Sequence, residues 1–404
     1  MACVVVEATA EGIGEFGQWQ RELRDQFPIF ANNSELVYLD SAATSQKPQP
    51  VLDATREHLT TRHANAGRGV YSWANATTAL IERTKDRVKS FLGDPAPEQS
   101  TVHFVSGASE GLRRVALDWL GPILDDGDEI ICPMADHQAN ALPWLEAAER
   151  LAATGKKITV HPMPYDDAGD YEVPALRAMV SERTRLVAVT HIHHVYGMDM
   201  EVAKVRAAVG DHVAICADAA QSIGHLPISL AELGVDFLVF SGHKAMALPG
   251  IGVIWASNRR GPMFELQGWA GTPNISGVAS LQAALDWLER ADLARIERYV
   301  SALTRELVRR LADDPHVRFV GCPFGCSTLG SQKTLRNSIV TFQHDRIPAG
   351  DLGFVLASEG IMVRSDSHCQ AGRSKGDDSV RVSLHVYNTL EEIDRLTAIM
   401  KRLA

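Results

Sequence analysis

No apolar run in this sequence approaches the roughly 18 residues that a helix needs to cross a bilayer, and the start, Met1 to Glu7, lacks the basic residues and long apolar core of a secretory leader. A cytoplasmic protein without a membrane partner is therefore expected. Positive charge is also short: 40 Lys and Arg stand against 50 Asp and Glu, for a net charge of -10. That balance argues against general binding to nucleic acid or to an anionic membrane surface and favours a small-molecule partner. Disulfide and metal patterns are missing as well. The six cysteines, Cys3, Cys132, Cys216, Cys322, Cys326 and Cys369, form no framework, so reduced thiols are expected. Cys322 and Cys326 flank Pro323-Phe324-Gly325 without a second pair, and no metal site is expected there. Internal repeats and low-complexity linkers are absent too. What is present is an ordinary globular composition, 45% hydrophobic and 22% charged over 404 residues. At about 150 residues per domain, that length suggests two or three domains with ample core.

From about residue 80 to residue 256, amphipathic stretches alternate with short, β-branched apolar runs, the pattern of an α/β fold with a parallel sheet covered on both faces. Seven strands are predicted: Thr101 to Val105, Glu129 to Cys132, Lys157 to His161, Leu186 to Thr190, His212 to Ala217, Phe237 to Phe240 and Val253 to Ala256. A helical pattern returns from Val278 to Leu311. Further strands are predicted near Asn337 to Phe342, Ile361 to Val363 and Val380 to Ser383, followed by a helix from Leu390 to Leu403, with Thr389 and Glu392 as its capping box. These elements divide into a large domain, 31-270, and a smaller α/β domain made of 1-30 and 271-404. Ligands of such sheets gather at the carboxyl ends of strands, and Ser109, His137, His194, Asp218 and Lys244 all follow a strand.

Lys244 closes the stretch Val235 to Lys244, placing an amine after a buried strand and beside Ser241 and His243. Partial desolvation lowers the pKa of such an amine and readies it to form a Schiff base. Asp218 ends a second apolar strand, Val213 to Ala217. An imine-forming lysine and a carboxylate at neighbouring strand ends suit pyridoxal 5'-phosphate, whose aldehyde needs the first and whose ring nitrogen needs the second. Ser106-Gly107-Ala108-Ser109-Glu110-Gly111 leaves a strand and enters a helical run, Leu112 to Leu120, so its amides and the Ser109 hydroxyl can face a phosphate. Ser241 and His243 add donors, and His137 can stack on a flat ring. Taken singly, each feature also has a plain structural reading: a solvated loop lysine, a helix cap, a hydrogen-bonded loop histidine.

Taken together, the motifs are those of a known family. Tyr38-Leu39-Asp40-Ser41-Ala42-Ala43, Asp136-His137, Asp218-Ala219-Ala220-Gln221, Ser241-Gly242-His243-Lys244, Ala270-Gly271-Thr272-Pro273-Asn274 and Arg381-Val382-Ser383-Leu384 make the chain resemble the class V aminotransferase group of fold-type I pyridoxal phosphate enzymes. Within that group it is similar to the group II cysteine desulfurases and selenocysteine lyases, from about Val37 to the carboxyl terminus. The resemblance implies that Lys244 is the Schiff-base lysine, Asp218 the partner of the pyridine nitrogen and His137 the ring-stacking group. Gln221 and His194 fall at the phenolic oxygen, and Ala108, Ser109, Ser241 and His243 at the phosphate. Thr272 matches a threonine that reaches the phosphate of the neighbouring subunit, which implies a homodimer. Arg381 and Arg364 fall at the substrate carboxylate and its surroundings, where a guanidinium is chemically apt. Cys369, five residues after Arg364, matches the nucleophilic cysteine of the desulfurases. The implied reaction takes L-cysteine to L-alanine, with Lys244 removing the α-proton and Cys369 keeping the sulfur as a persulfide for an acceptor protein. By position alone, Cys369 is equally an incidental loop cysteine.

The chain departs from the family on the substrate side. His194 stands where the desulfurases carry asparagine, Gly67 where they carry histidine, and Tyr71 where a second histidine is common. The interval from Lys244 to Thr272 is short and lacks a glycine-rich segment and hairpin, and the loop from Cys369 to Arg381 is short and polar. Selenocysteine lysis, β-elimination, epimerisation and transamination on the same cofactor therefore stand as alternatives, beside a non-catalytic scaffold of the same fold. In an extended chain His191 and His193 point away from His194, which disfavours a shared metal ion.

Overall fold

The computed structural model describes residues 11–67, 69–260, 272–321, 337–372 and 378–403. The segment preceding Thr272, Cys3, and the pair Cys322 and Cys326 lie outside the described residues, as does 373–377 of the loop before Arg381. Among the described residues, thirteen strands run in chain order: β1 Val37–Tyr38, β2 Ser100–Val105, β3 Glu129–Cys132, β4 Thr159–Pro162, β5 Thr184–Thr190, β6 Ala214–Asp218, β7 Phe237–Ser241, β8 Gly252–Ser257, β9 Val317–Phe319, β10 Ile339–His344, β11 Ile361–Met362, β12 Arg364–Asp366 and β13 Ser379–Ser383.

Seven of them, β2 to β8, form the large sheet in the order β2-β8-β7-β6-β5-β3-β4. All point one way except β8, which is antiparallel to both neighbours. Each central strand splits its apolar residues between two cores. Val187 and Val189 of β5, Ile215 and Ala217 of β6, and Leu238 and Phe240 of β7 enter one core. The residues between them, Leu186, Ala188, Ala214, Cys216, Phe237 and Val239, enter the other. Side chains alternate across a strand, so an unbroken apolar run is what a sheet buried on both faces requires. One core is closed by helices carrying Leu112, Trp119, Trp144 and Ala147, the other by helices carrying Val88, Val205, Leu281 and Leu285.

The predicted run Leu112 to Leu120 differs in detail. An α-helix, Ala108–Arg114, starts directly at the turn and then widens into a π-helical stretch, Val115–Leu120. The predicted helix Val278 to Leu311 is two helices, Ile275–Arg290 and Leu293–Leu311. The break falls at Asp292, whose backbone is left-handed with φ 65° and whose carboxylate accepts from Arg295 N, capping the second helix. The carboxyl-terminal helix Leu390–Leu403 carries the expected box: Glu392 N donates to Thr389 Oγ1 at 3.4 Å, and Thr389 N to Glu392 Oε2 at 3.2 Å.

The second sheet is antiparallel, in the order β12-β13-β10-β9. Residues 37–48 join the two sheets. Val37–Tyr38 pair in parallel with Ile361–Met362, Asp40 bridges Ser383, and Ala42 N donates to Ser383 Oγ at 2.9 Å. On the other side, Gln221 Nε2 donates to Ala42 O at 3.0 Å.

Candidate active site

The parallel register carries β5, β6 and β7 to the same edge, so Thr190 lies beside Asp218 and Asp218 beside Val239. There the strands open on a cavity of about 230 Å³. Of the residues expected at a site, Ala108, Ser109, His137, His194, Asp218, Gln221, Ser241, His243, Lys244, Arg364 and Arg381 all line it. Thr272 does not: it is exposed and lies outside this cavity. Cys369 is not a lining residue either, but its neighbour His368 is.

Lys244 sits in a tight 3-10 turn, Gly242–Lys244, because the chain must double back from β7 into the reversed strand β8. The turn is fixed through the His243 carbonyl, which accepts from Ser45 N at 3.1 Å, Ser45 Oγ at 2.9 Å and Lys47 Nζ at 3.2 Å. Burial lowers the Lys244 amine to about 8; Asp218 opposes that shift, while Arg381 and Arg364 add to it. Burial raises the Asp218 carboxyl, against the pull of the Ala220 amide, which donates to its Oδ1 at 2.9 Å, and of Lys244. Burial takes His137 and His243 down to about 4 each and His194 well below the ordinary value, and neighbouring cations push in the same direction.

The turn before helix Ala108–Arg114 is held open by two hydroxyls. Ser241 Oγ accepts from Ala108 N at 2.8 Å, and Ser106 gives its amide and hydroxyl to Glu110 at 2.7 and 2.6 Å. Gly107 and Gly252 stand back to back here: a Cβ built on Gly252 would come within 2.6 Å of Gly107 Cα. The crossing of β8 with the turn thus requires glycine for space.

Arg381 is only 1% exposed. Its Nη1 donates to His194 O at 3.2 Å and its Nη2 to Asp40 Oδ1 at 3.3 Å. Arg364 Nε forks onto Asp366 at 2.8 and 3.0 Å, and its Nη2 lies 3.2 Å from Cys369 Sγ. His368 and Cys369 are both left-handed, with φ 55° and 57°. The rings of His137 and His194 meet edge to face with centroids 5.1 Å apart. His193 lies tilted against His194 with centroids 5.0 Å apart, and its Nε2 is 3.2 Å from Asp136 Oδ1.

Sequence patterns did not single out Asp40 as the anion on Arg381, nor Thr190, Ile192, Ala42 and His368 as cavity wall. Asp40 carried a signal, since it sits in the Tyr38 to Ala43 motif. Ala42 lies in the same motif and His368 beside Cys369, whereas nothing in their spacing marks Thr190 and Ile192.

The model of the family described as aminotransferase class-V matches residues 37–396. A probable cysteine desulfurase of Vibrio cholerae is 33% identical, covering 94% of this chain and 97% of its own. A cysteine desulfurase of Pectobacterium atrosepticum is 32% identical over 94% of this chain and 97% of its own. Among solved structures, the apo cysteine desulfurase from Thermococcus onnurineus NA1 aligns with a TM-score of 0.82 at 30% identity, covering 95% of this chain and 97% of that one.

Proposed function

Since the chain belongs to the class-V aminotransferase family, we propose that it is a pyridoxal 5'-phosphate-dependent cysteine desulfurase, which takes L-cysteine to L-alanine and keeps the sulfur as a persulfide on Cys369. The observation that carries this reading is a single cavity lined by Lys244, Asp218 and Arg381, with the Arg364 guanidinium joining it to the Cys369 thiol.

The residues fit the cofactor. Both nitrogens of buried His194 and the Nε of buried Arg381 have no partner among the described residues, so polar atoms remain to be met by what enters. Lys244 would hold the aldehyde carbon, Asp218 the ring nitrogen and His137 one ring face. Gln221 and His194 would hold the phenolic oxygen, and Ala108, Ser109, Ser241 and His243 the phosphate. When bound, the cofactor supplies an electron-withdrawing ring that makes the substrate α-proton removable.

The remaining work falls to side chains. Arg381, already fixed by Asp40 and the His194 carbonyl, presents its guanidinium to the substrate carboxylate. Lys244, with its pKa lowered to about 8, takes the α-proton and returns protons to carbon. Cys369, whose Sγ lies 3.2 Å from Arg364 Nη2, attacks the substrate sulfur. An S–S bond forms as the C–S bond breaks, the electron pair stays with carbon, and protonation there completes alanine.

A homodimer in the cytoplasm that passes sulfur to an acceptor protein accords with this reading. Thr272 stands exposed and away from the cavity of its own chain, available to a second copy. Val70, Tyr71 and Trp73 form an exposed apolar stretch, 102%, 55% and 50% accessible.

The test is to incubate purified protein with cysteine, selenocysteine and cystine and to measure alanine, pyruvate and sulfide. Alanine from cysteine, abolished by Cys369→Ala, is the expected result. Pyruvate from cystine, or cysteine turnover that survives Cys369→Ala, would replace the desulfurase with another reaction of the family.

A further inference from the structure

A carboxylate outside the cavity organises its walls. Asp136 is 0% exposed and no lysine or arginine pairs with it among the described residues. Its charge is met instead by the hydroxyls of Tyr165, at 2.7 Å on Oδ1, and Tyr171, at 2.8 Å on Oδ2, by a side-chain hydrogen bond from Thr190, and by His193, whose Nε2 lies 3.2 Å from Oδ1. His193 Nδ1 accepts from Val195 N and Tyr196 N, both at 3.1 Å, so the imidazole proton lies on Nε2, facing the carboxylate. That fixes the ring, and Tyr196 stacks on it with centroids 4.0 Å apart and planes 7° from parallel.

The contacts then reach the thiol loop. Gln370 Nε2 donates to Tyr196 OH at 3.1 Å and to Ala135 O at 2.7 Å. The backbones of the two segments are also zipped: Ala371 N donates to Asp136 O at 2.8 Å, and Gln138 N to Cys369 O at 3.0 Å. His368 and Cys369 occupy the left-handed region, which non-glycine residues hold only where their surroundings insist. These contacts act together with those inside the loop, His368 N to Asp366 Oδ1 at 2.6 Å and Gln370 N to Ser367 O at 3.2 Å.

We propose that Asp136 is a positioning residue: through His193, Tyr196 and Gln370 it holds the Cys369 loop in register with the cavity. Its purpose rests on the desulfurase reading, but its geometry does not, and the two can fail separately. A buried anion suits this task, because its hydrogen-bond donors have no water to turn to and so keep their places.

The experiment measures iodoacetamide alkylation of Cys369 in the purified full-length protein, resolved by peptide mass spectrometry, for wild type, Asp136→Asn, Gln370→Ala and the double variant. Each single change is expected to raise the Cys369 alkylation rate by about tenfold, and the double variant to go no further than the faster single one, since both cut one route. Asp136→Glu, which restores the anion, is expected to return the rate to within about threefold of wild type. With cysteine as substrate, Asp136→Asn should lower kcat about tenfold or more while KM moves less than about threefold. If Asp136→Asn does not fold, Tyr196→Phe removes only the hydroxyl that receives Gln370 and must still speed alkylation. Rates unchanged in Asp136→Asn, or in Gln370→Ala and Tyr196→Phe, overturn the proposal, and so do effects that multiply in the double variant. Wild-type protein that makes no alanine from cysteine would sink the desulfurase reading and leave the alkylation result to decide this one.

Discussion

At the scale of the residue, the reactive amine sets a pH dependence whose sign can be worked out. Burial takes Lys244 from the ordinary 10.5 to about 8, so between those values the unfolded chain holds a proton that the folded one has released. Its contribution to stability therefore rises with pH across that window, and below about 8 the cost of the buried ammonium is borne in full. The same shift governs chemistry. Stopped-flow absorbance of cofactor-free protein mixed with pyridoxal phosphate should show capture rising about tenfold per pH unit and levelling above about 8. A rate still climbing steeply at pH 10 would mean that the amine is not desolvated. Arg381→Gln removes one charge-assisted contact worth about 1.5–3 kcal/mol, so KM for cysteine should rise about 10- to 100-fold. Lys244 and Asp218 were legible in the sequence because each follows or closes a strongly apolar strand, where a charged residue stands out, whereas Arg381, inside Ser379–Ser383, was legible only through its family motif. The groups around Asp136 were not, since Tyr165, Tyr171 and His193 lie 29, 35 and 57 residues away with no periodic pattern linking them.

At the scale of the element, what was legible is what period and burial dictate. All seven large-sheet strands overlap the predicted apolar β-branched runs, but β4 and β6 begin two residues later than predicted, and β5 begins two residues early, at Thr184, because Arg185 reaches out to Asp128 at 2.8 Å and interrupts the apolar run. The reversal of β8 leaves no trace in composition, because an antiparallel strand buried on both faces has the same apolar run as a parallel one. The break at Asp292 was hidden too, since an aspartate on a helix reads as a surface residue until its left-handed backbone is seen. Gly252→Ala, forced against Gly107, should cost about 1–3 kcal/mol by overpacking and lower the thermal midpoint. Asp236 offers a second test. It is buried at the head of β7, accepts from Ile215 N at 2.8 Å, and gathers Arg206, Arg259 and Arg260 at 2.7, 2.5 and 3.1 Å. Asp236→Ala leaves those guanidiniums with carbonyl partners but no counter-charge in the cluster, and should cost about 3–5 kcal/mol in urea unfolding. A loss below about 1 kcal/mol would show that the cluster behaves like a surface pair.

At the scale of the whole molecule, association and chain order matter most. If two copies share their sites, Trp73→Asp on the exposed apolar stretch should move the protein from dimer toward monomer in light scattering and weaken cofactor retention with it. A wild-type monomer at micromolar concentration that still turns over cysteine would remove the shared site. The strap of residues 37–48 has a further consequence. Ala42 is held by Ser383, 341 residues away in sequence, yet it is also where Gln221 of the large sheet is anchored. On the ribosome, this early segment must wait through most of translation with its β1 edge open, and the lysine turn that leans on Ser45 waits with it. The nascent sheet can collapse long before the pocket exists, so a polypeptide arrested before Ile361 should be compact yet unable to retain pyridoxal phosphate.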